Sequence, residues 1–263
     1  MRNERISTPK RRLAGIVILY EDRDILVVDK PAGLLTMGTE TERERTAYWI
    51  LTDYVRKGCA RSRNRVFIVH RLDRDASGVL ILAKTEAAKL RLQDQWGDGE
   101  KKYLAVVHGR LANRMGTITS YLAENKARVV YSTGDPARGK LARTAYTVMK
   151  ETGNFSVLDI TLLTGRKNQI RVQLAEQGHP VVGDEKYGRR KDGFKHLALH
   201  ARSLSLNHPF SGKRLAFEAP VPAHFFRWIS PLPISHARQG ESSVGVANSG
   251  SAGRDFDSGE GPS

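Results

Sequence analysis

Apolar runs in this chain are joined mostly by turn signals rather than by helices, and that constrains the fold more than any other feature. Thr144 to Met149 and Phe155 to Leu163 are strand-like runs separated by Thr152-Gly153-Asn154, the pattern of a hairpin. Ile25 to Asp29 reads as a short strand. Lys30-Pro31-Ala32-Gly33 after it must turn, because proline lacks a donor and glycine permits positive φ. Val79 to Ala83 is apolar throughout and predicts a fully buried strand, and Lys102 to His108 predicts another. Three helices fit between them. Ala47, Ile50, Leu51, Tyr54 and Val55 recur at helical spacing. Thr85 caps a second helix with the inner stripe Ala88, Leu92 and Trp96, stopped by Gly97 and Gly99. The third runs from Asn168 to Gln177 and closes at Gly178. Sequential strands joined by turns predict an α+β fold with a mixed, largely antiparallel sheet, not a doubly wound nucleotide-binding fold.

Charge narrows the partner. The 263 residues carry 43 Lys and Arg against 28 Asp and Glu, a formal net charge of +15. Such an excess favours a polyanion, because each neutralised phosphate releases condensed counterions. No apolar run approaches membrane-spanning length, and no basic helix shows a large apolar face, so no membrane partner is expected. The single cysteine, Cys59, excludes a disulfide framework. The histidines do not fall in zinc-ligand spacings, so no metal is expected. Neither GxGxxG after a strand nor GxxxxGK[ST] occurs, so no nucleotide cofactor is signalled. No secretory signal is visible, and the expected location is cytoplasmic.

Composition divides the chain into zones. Residues 1–14 read as a flexible basic arm, 15–230 as the folded domain, and 233–263 as a disordered Ser/Gly-rich tail unable to bury enough apolar surface.

The chemistry concentrates at His70-Arg71-Leu72-Asp73-Arg74-Asp75-Ala76-Ser77-Gly78. Asp73 sits between two arginines, which favour its ionised form, and the loop runs into a buried strand. Taken alone, that segment reads first as a surface ion pair, since structural ion pairs outnumber catalytic ones.

Further blocks follow in order: Lys102-Tyr103-Leu104-Ala105, Thr164-Gly165-Arg166 with Gln169-Ile170-Arg171, Gly178-His179-Pro180-Val181-Val182-Gly183-Asp184, and Leu199-His200-Ala201. With Lys30-Pro31-Ala32-Gly33 ahead of them, this ordered set resembles the RluA-type pseudouridine synthases from about residue 20 to about residue 228. The resemblance implies the pseudouridine synthase fold with a central active-site cleft. It implies isomerisation of uridine in ribosomal or transfer RNA, with no cofactor and no metal. Asp73 matches the family's catalytic aspartate, Arg171 the arginine paired with it, and Tyr103 the tyrosine that handles the proton at carbon 5. Arg71 matches the arginine that fills the place of the extruded nucleotide. Arg74, Arg166 and Asn168 are expected to bind substrate.

The chain departs from the family pattern at Ala76, where threonine is usual, and at Asn168 and Gln173, where histidines are common. Asn168 keeps a donor and an acceptor and fits a neutral hydrogen-bonding role. Asp75 is the nearest rival acid, and His179 and Asp184 read as structural. Arg61, Arg63, Arg65, Arg74 and Arg189-Arg190-Lys191 are candidate phosphate contacts. Only the arm precedes the first motif, so selection is expected to come from a stand-alone, monomeric catalytic domain. Two other readings remain: an inactive RNA-binding or ribosome-associated protein of the same fold, and a glycoside hydrolase, which would need a second acid.

Overall fold

The computed structural model describes residues 12–38, 42–59, 61–188 and 192–229. The strands are β1 (Arg12–Leu13), β2 (Ile16–Glu21), β3 (Ile25–Lys30), β4 (Phe67–Ile68), β5 (Ser77–Ala83), β6 (Glu100–His108), β7 (Met115–Glu124), β8 (Val130–Thr133), β9 (Lys140–Thr152), β10 (Phe155–Leu162), β11 (Leu199–Asn207) and β12 (Arg214–Glu218). The helices are α1 (Ala47–Arg56), α2 (Glu86–Asp94), α3 (Gln169–Glu176) and α4 (Phe226–Ile229). One sheet runs β1-β2-β3-β5-β11-β6-β10-β9-β7-β8, with β12 on β11 and β4 on β5. Among the described residues its pairings are antiparallel except β5 with β11, so the sheet is mixed and largely antiparallel, as expected.

That parallel seam positions the site. His200 lies opposite Ser77 and Ala201 opposite Gly78. A Cβ on Gly78 would sit 2.2 Å from the Ala201 carbonyl oxygen, and the backbone there has φ +114°, so glycine is required twice over. Every residue of β5 is buried, and Leu80, Ile81 and Leu82 are fully so. Each such side chain contributes about 1.5–3 kcal/mol. The strand is therefore a rigid base for the loop that precedes it.

The hairpin β9–β10 turns at Thr152-Gly153-Asn154, with Gly153 at φ +58°. Thr46 and Thr85 cap α1 and α2 through their hydroxyls. The second helix ends at Asp94, earlier than its apolar stripe suggests. Gln95–Gly97 tightens into a 3₁₀ turn, which carries Trp96 against His70 instead of along the helix.

The N-terminal boundary also differs from expectation. Arg12 and Leu13 pair with Val17 and Ile16 across a turn at Ala14 and Gly15, so the end of the expected arm is sheet. The rest of the arm, residues 1–11, and the expected tail, 233–263, lie outside the described residues. No helix among the described residues is long and apolar enough to cross a membrane.

Candidate active site

Asp73 stands on the loop leading into β5, and that loop is clamped from below. Leu72 is buried, and the Thr36 hydroxyl both donates to its carbonyl (2.8 Å) and accepts from its N–H (3.2 Å). Lys30, fully buried at the end of β3, donates to the carbonyls of Leu34 (2.7 Å), Pro31 (2.9 Å) and Arg74 (3.1 Å). One ammonium thus ties the Lys30-Pro31-Ala32-Gly33 turn to the Asp73 loop. Burial pushes its pKa down to about 8, against the pull of Asp75, Asp73 and Asp29.

The partners of Asp73 come from α3. Arg171 Nη1 donates to Asp73 Oδ2 at 2.9 Å, and Asn168 Nδ2 donates to the same oxygen at 2.7 Å. Arg171 is itself buried and held by a fork from Asp184: Nε to Oδ2 and Nη2 to Oδ1, both 2.7 Å. Burial works against the guanidinium charge, but Asp184 and Asp73 outweigh it and hold the group more firmly protonated than usual. Arg74 and Arg71, expected to stabilise Asp73, are exposed and make no ion pair with it among the described residues. The loop turns these sequence neighbours to solvent, and the cation that meets the carboxylate lies far along the chain.

Asn168 occupies the left-handed region (φ 52°) that asparagine tolerates better than most residues. Its side chain makes no cap for α3 and turns to Asp73 instead, while its carbonyl accepts from the Tyr187 hydroxyl (3.2 Å). Tyr187 in turn accepts from Val130 N–H (3.1 Å) and lies 5.3 Å from the Arg171 guanidinium. Gln173 does not reach the carboxylate. Fully buried, it bonds Ala142 O, Ser120 Oγ and Thr144 Oγ1 and fixes α3 to β7 and β9.

Tyr103 projects from β6 into the same cleft as Asp73. Burial and the Asp73 charge raise its pKa above the ordinary phenol range, so the hydroxyl keeps its proton at neutral pH. Arg71, Arg74, Arg166 and Asn168 line this cleft of about 950 Å³. Arg166 is exposed and donates through Nε to Leu141 O (3.0 Å). Arg61, Arg63 and Arg65 are exposed but outside the cleft lining, and Arg189-Arg190-Lys191 lies outside the described residues.

Trp96, His70 and Lys101 also line the cleft, and sequence reasoning gave them no role. The available signal was the strand period, which puts Lys101 on the face of Tyr103. His70 Nε2 accepts from Ile81 N–H (3.2 Å), so the ring is neutral, and burial and Lys101 push its pKa down to about 3. His179 is structural as read, with Nδ1 against His108 O (3.0 Å).

The fold also gathers Asp22, Asp24 and His208, a group the sequence spacing does not reveal. Asp22 is already engaged there by Tyr20 Oη, His208 Nε2 and the N–H groups of Asp24 and Ile25. That cluster is a structural knot.

The family described as RNA pseudouridylate synthase matches residues 24–176. The chain is 34% identical over 224 residues to an uncharacterized RNA pseudouridine synthase of Mycoplasma genitalium, covering 83% of this chain and 70% of that one. It is 34% identical over 237 residues to ribosomal large subunit pseudouridine synthase D of Zymomonas mobilis, covering 83% and 73%. Among solved structures, Human RNA Pseudouridylate Synthase Domain Containing 4 has the same fold, with TM-score 0.66, 22% identity and coverage of 79% and 89%.

Proposed function

The chain belongs to the RNA pseudouridylate synthase family, of the RluA type, and on that premise we propose that it isomerises uridine in ribosomal RNA through Asp73. It is an isomerase: the bond from ribose C1′ to uracil N1 breaks, a bond from C1′ to C5 forms, the C5 proton is lost and N1 gains one, so the formula is unchanged. The observation that carries the proposed roles is the pairing of Asp73 with Arg171 and Asn168 at the wall of a cleft that also holds Tyr103. Arg171 and Asn168 hold the carboxylate in one orientation, ready to start cleavage of the C1′–N1 bond. After C1′–C5 bond formation the C5 proton leaves through the Tyr103 hydroxyl. That group gives up its own proton as it takes the new one, and the proton lost is balanced by the one N1 gains. Arg71, exposed at the cleft, takes the place of the extruded nucleotide in the stack. Arg74 and Arg166 hold flanking phosphates.

Ribosomal RNA is chosen over transfer RNA because relatives named for the large ribosomal subunit cover most of this chain. A monomer working in the cytoplasm, without metal or nucleotide cofactor, completes the reading. The test is tritium release from unmodified ribosomal and transfer RNA labelled at uridine C5, with wild type beside Asp73→Ala. Wild type is expected to release tritium from ribosomal RNA and the variant none. Thermal stability should hardly change, because Arg171 stays held by Asp184. Release by the variant would remove Asp73 from the mechanism. Binding without release from either pool would favour the inactive RNA-binding protein.

A further inference from the structure

We propose that Lys101, framed by Trp96 and His70, forms a second nucleotide subsite that holds the phosphodiester beside the target uridine. This rests on the reading of the chain as an RNA pseudouridine synthase and adds a determinant of substrate grip. Lys101 is 7% exposed. Among the described residues its ammonium makes one hydrogen bond, to the Trp96 carbonyl (2.7 Å), and no ion pair. A buried cation without a carboxylate is costly to the folded state, so its presence in a substrate cleft points to an anion that arrives from outside. Burial also lowers its pKa, with Asp98 opposing.

Placement identifies the anion. Lys101 and Tyr103 alternate on β6 and share a face, so their backbones stand one strand repeat apart, Tyr103 being where the uracil would sit. Both line the cleft, whose volume of about 950 Å³ is near the upper limit for a whole drug-sized ligand and exceeds the needs of one base. Trp96 supplies an aromatic wall, with the His70 ring 4.5 Å from it and Lys101 Nζ 5.5 Å from its centroid. Arg43, Arg71 and Arg166 at the rim are exposed. A phosphate meeting the desolvated Lys101 is bound more strongly than one meeting a solvated arginine.

The experiment measures equilibrium binding of labelled, unmodified ribosomal RNA against salt concentration, with melting temperature and tritium-release kinetics alongside. Lys101→Met is expected to reduce the slope of log Kd against log salt by about 0.7 to 0.9, the signature of one lost phosphate contact. KM should rise at least about tenfold with kcat nearly unchanged. The melting temperature should hold or rise, since an apolar side chain replaces a buried charge that no ion pair holds. Lys101→Gln keeps a donor for the Trp96 carbonyl while dropping the charge, and should lose the same slope. A wild-type slope in either folded variant overturns the proposal and leaves Lys101 as a peg for the 3₁₀ turn. Binding is read without turnover, so wild type that binds RNA but releases no tritium sinks the synthase reading and not this one.

Discussion

Asp184→Asn is the sharpest probe of how the site is held. Asp184 is almost fully buried and accepts four hydrogen bonds: two at 2.7 Å from Arg171, and two at 2.9 Å from the N–H groups of Lys186 and Tyr187. The amide has nearly the same shape but only one accepting oxygen, and its NH₂ would face the guanidinium. Breaking one partner of a buried, hydrogen-bonded pair costs about 3–5 kcal/mol. For a domain of this size each kcal/mol moves the melting temperature by about 2–4 °C, so the fall should be roughly 6–20 °C. Activity should suffer separately, because Arg171 would lose its fork, keeping at most one bond to residue 184 beside that to Asp73, and could swing. A displacement on the order of 1 Å costs about 100-fold in rate. Thermal melting, followed by single-turnover tritium release well below the variant's melting point, separates the two effects. A melting temperature within about 2 °C of wild type and a rate within about threefold would refute the argument, since the anchoring of Arg171 would then lie elsewhere.

Two further outcomes follow from the parallel seam. His200 is fully buried, with Nδ1 2.9 Å from Ser77 Oγ, and burial foremost, with His224 and Arg202, pushes its pKa down to about 4. The unfolded chain therefore binds the extra proton first, and stability should fall by roughly 3 kcal/mol as pH drops from 6.5 to 4. Urea midpoints across that window should flatten in His200→Asn, and an unchanged slope would show that other groups dominate. Gly78→Ala should cost soluble yield or many degrees of melting temperature, because its Cβ meets the Ala201 carbonyl. Gly33→Ala, with φ +82° but open space around it, should cost only about 1–2 kcal/mol. Equal effects at the two glycines would contradict the close approach of β5 to β11.

Local patterns carried the elements and failed where three-dimensional neighbours decide. The β9–β10 hairpin, the Thr46 and Thr85 helices and the buried β5 were legible, because each follows from turn chemistry or apolar periodicity within a short window. The arginine partner of Asp73 was legible only through resemblance to a family. The two residues lie 98 positions apart, and charge in the local window pointed to Arg71 and Arg74 instead. Lys30 was hidden for a related reason. A lysine before a proline turn looks solvated until the fold folds three carbonyls around it.

The departures at Asn168 and Gln173 become intelligible once those neighbours are known. A donor to Asp73 that never titrates suits a carboxylate that must stay ionised, and Asn168 supplies one at 2.7 Å while Tyr187 fixes its other end. Gln173 has no such duty, since its amide is committed to β7 and β9, and that commitment sets where α3 sits. The position of α3 in turn fixes Arg171 and Asn168. The substitution at residue 168 therefore acts on the carboxylate directly, and the one at 173 acts through the helix. Exchanging Asn168 for histidine would put a titratable ring beside Asp73, whereas the same exchange at Gln173 would have to displace hydrogen bonds that hold the helix to the sheet.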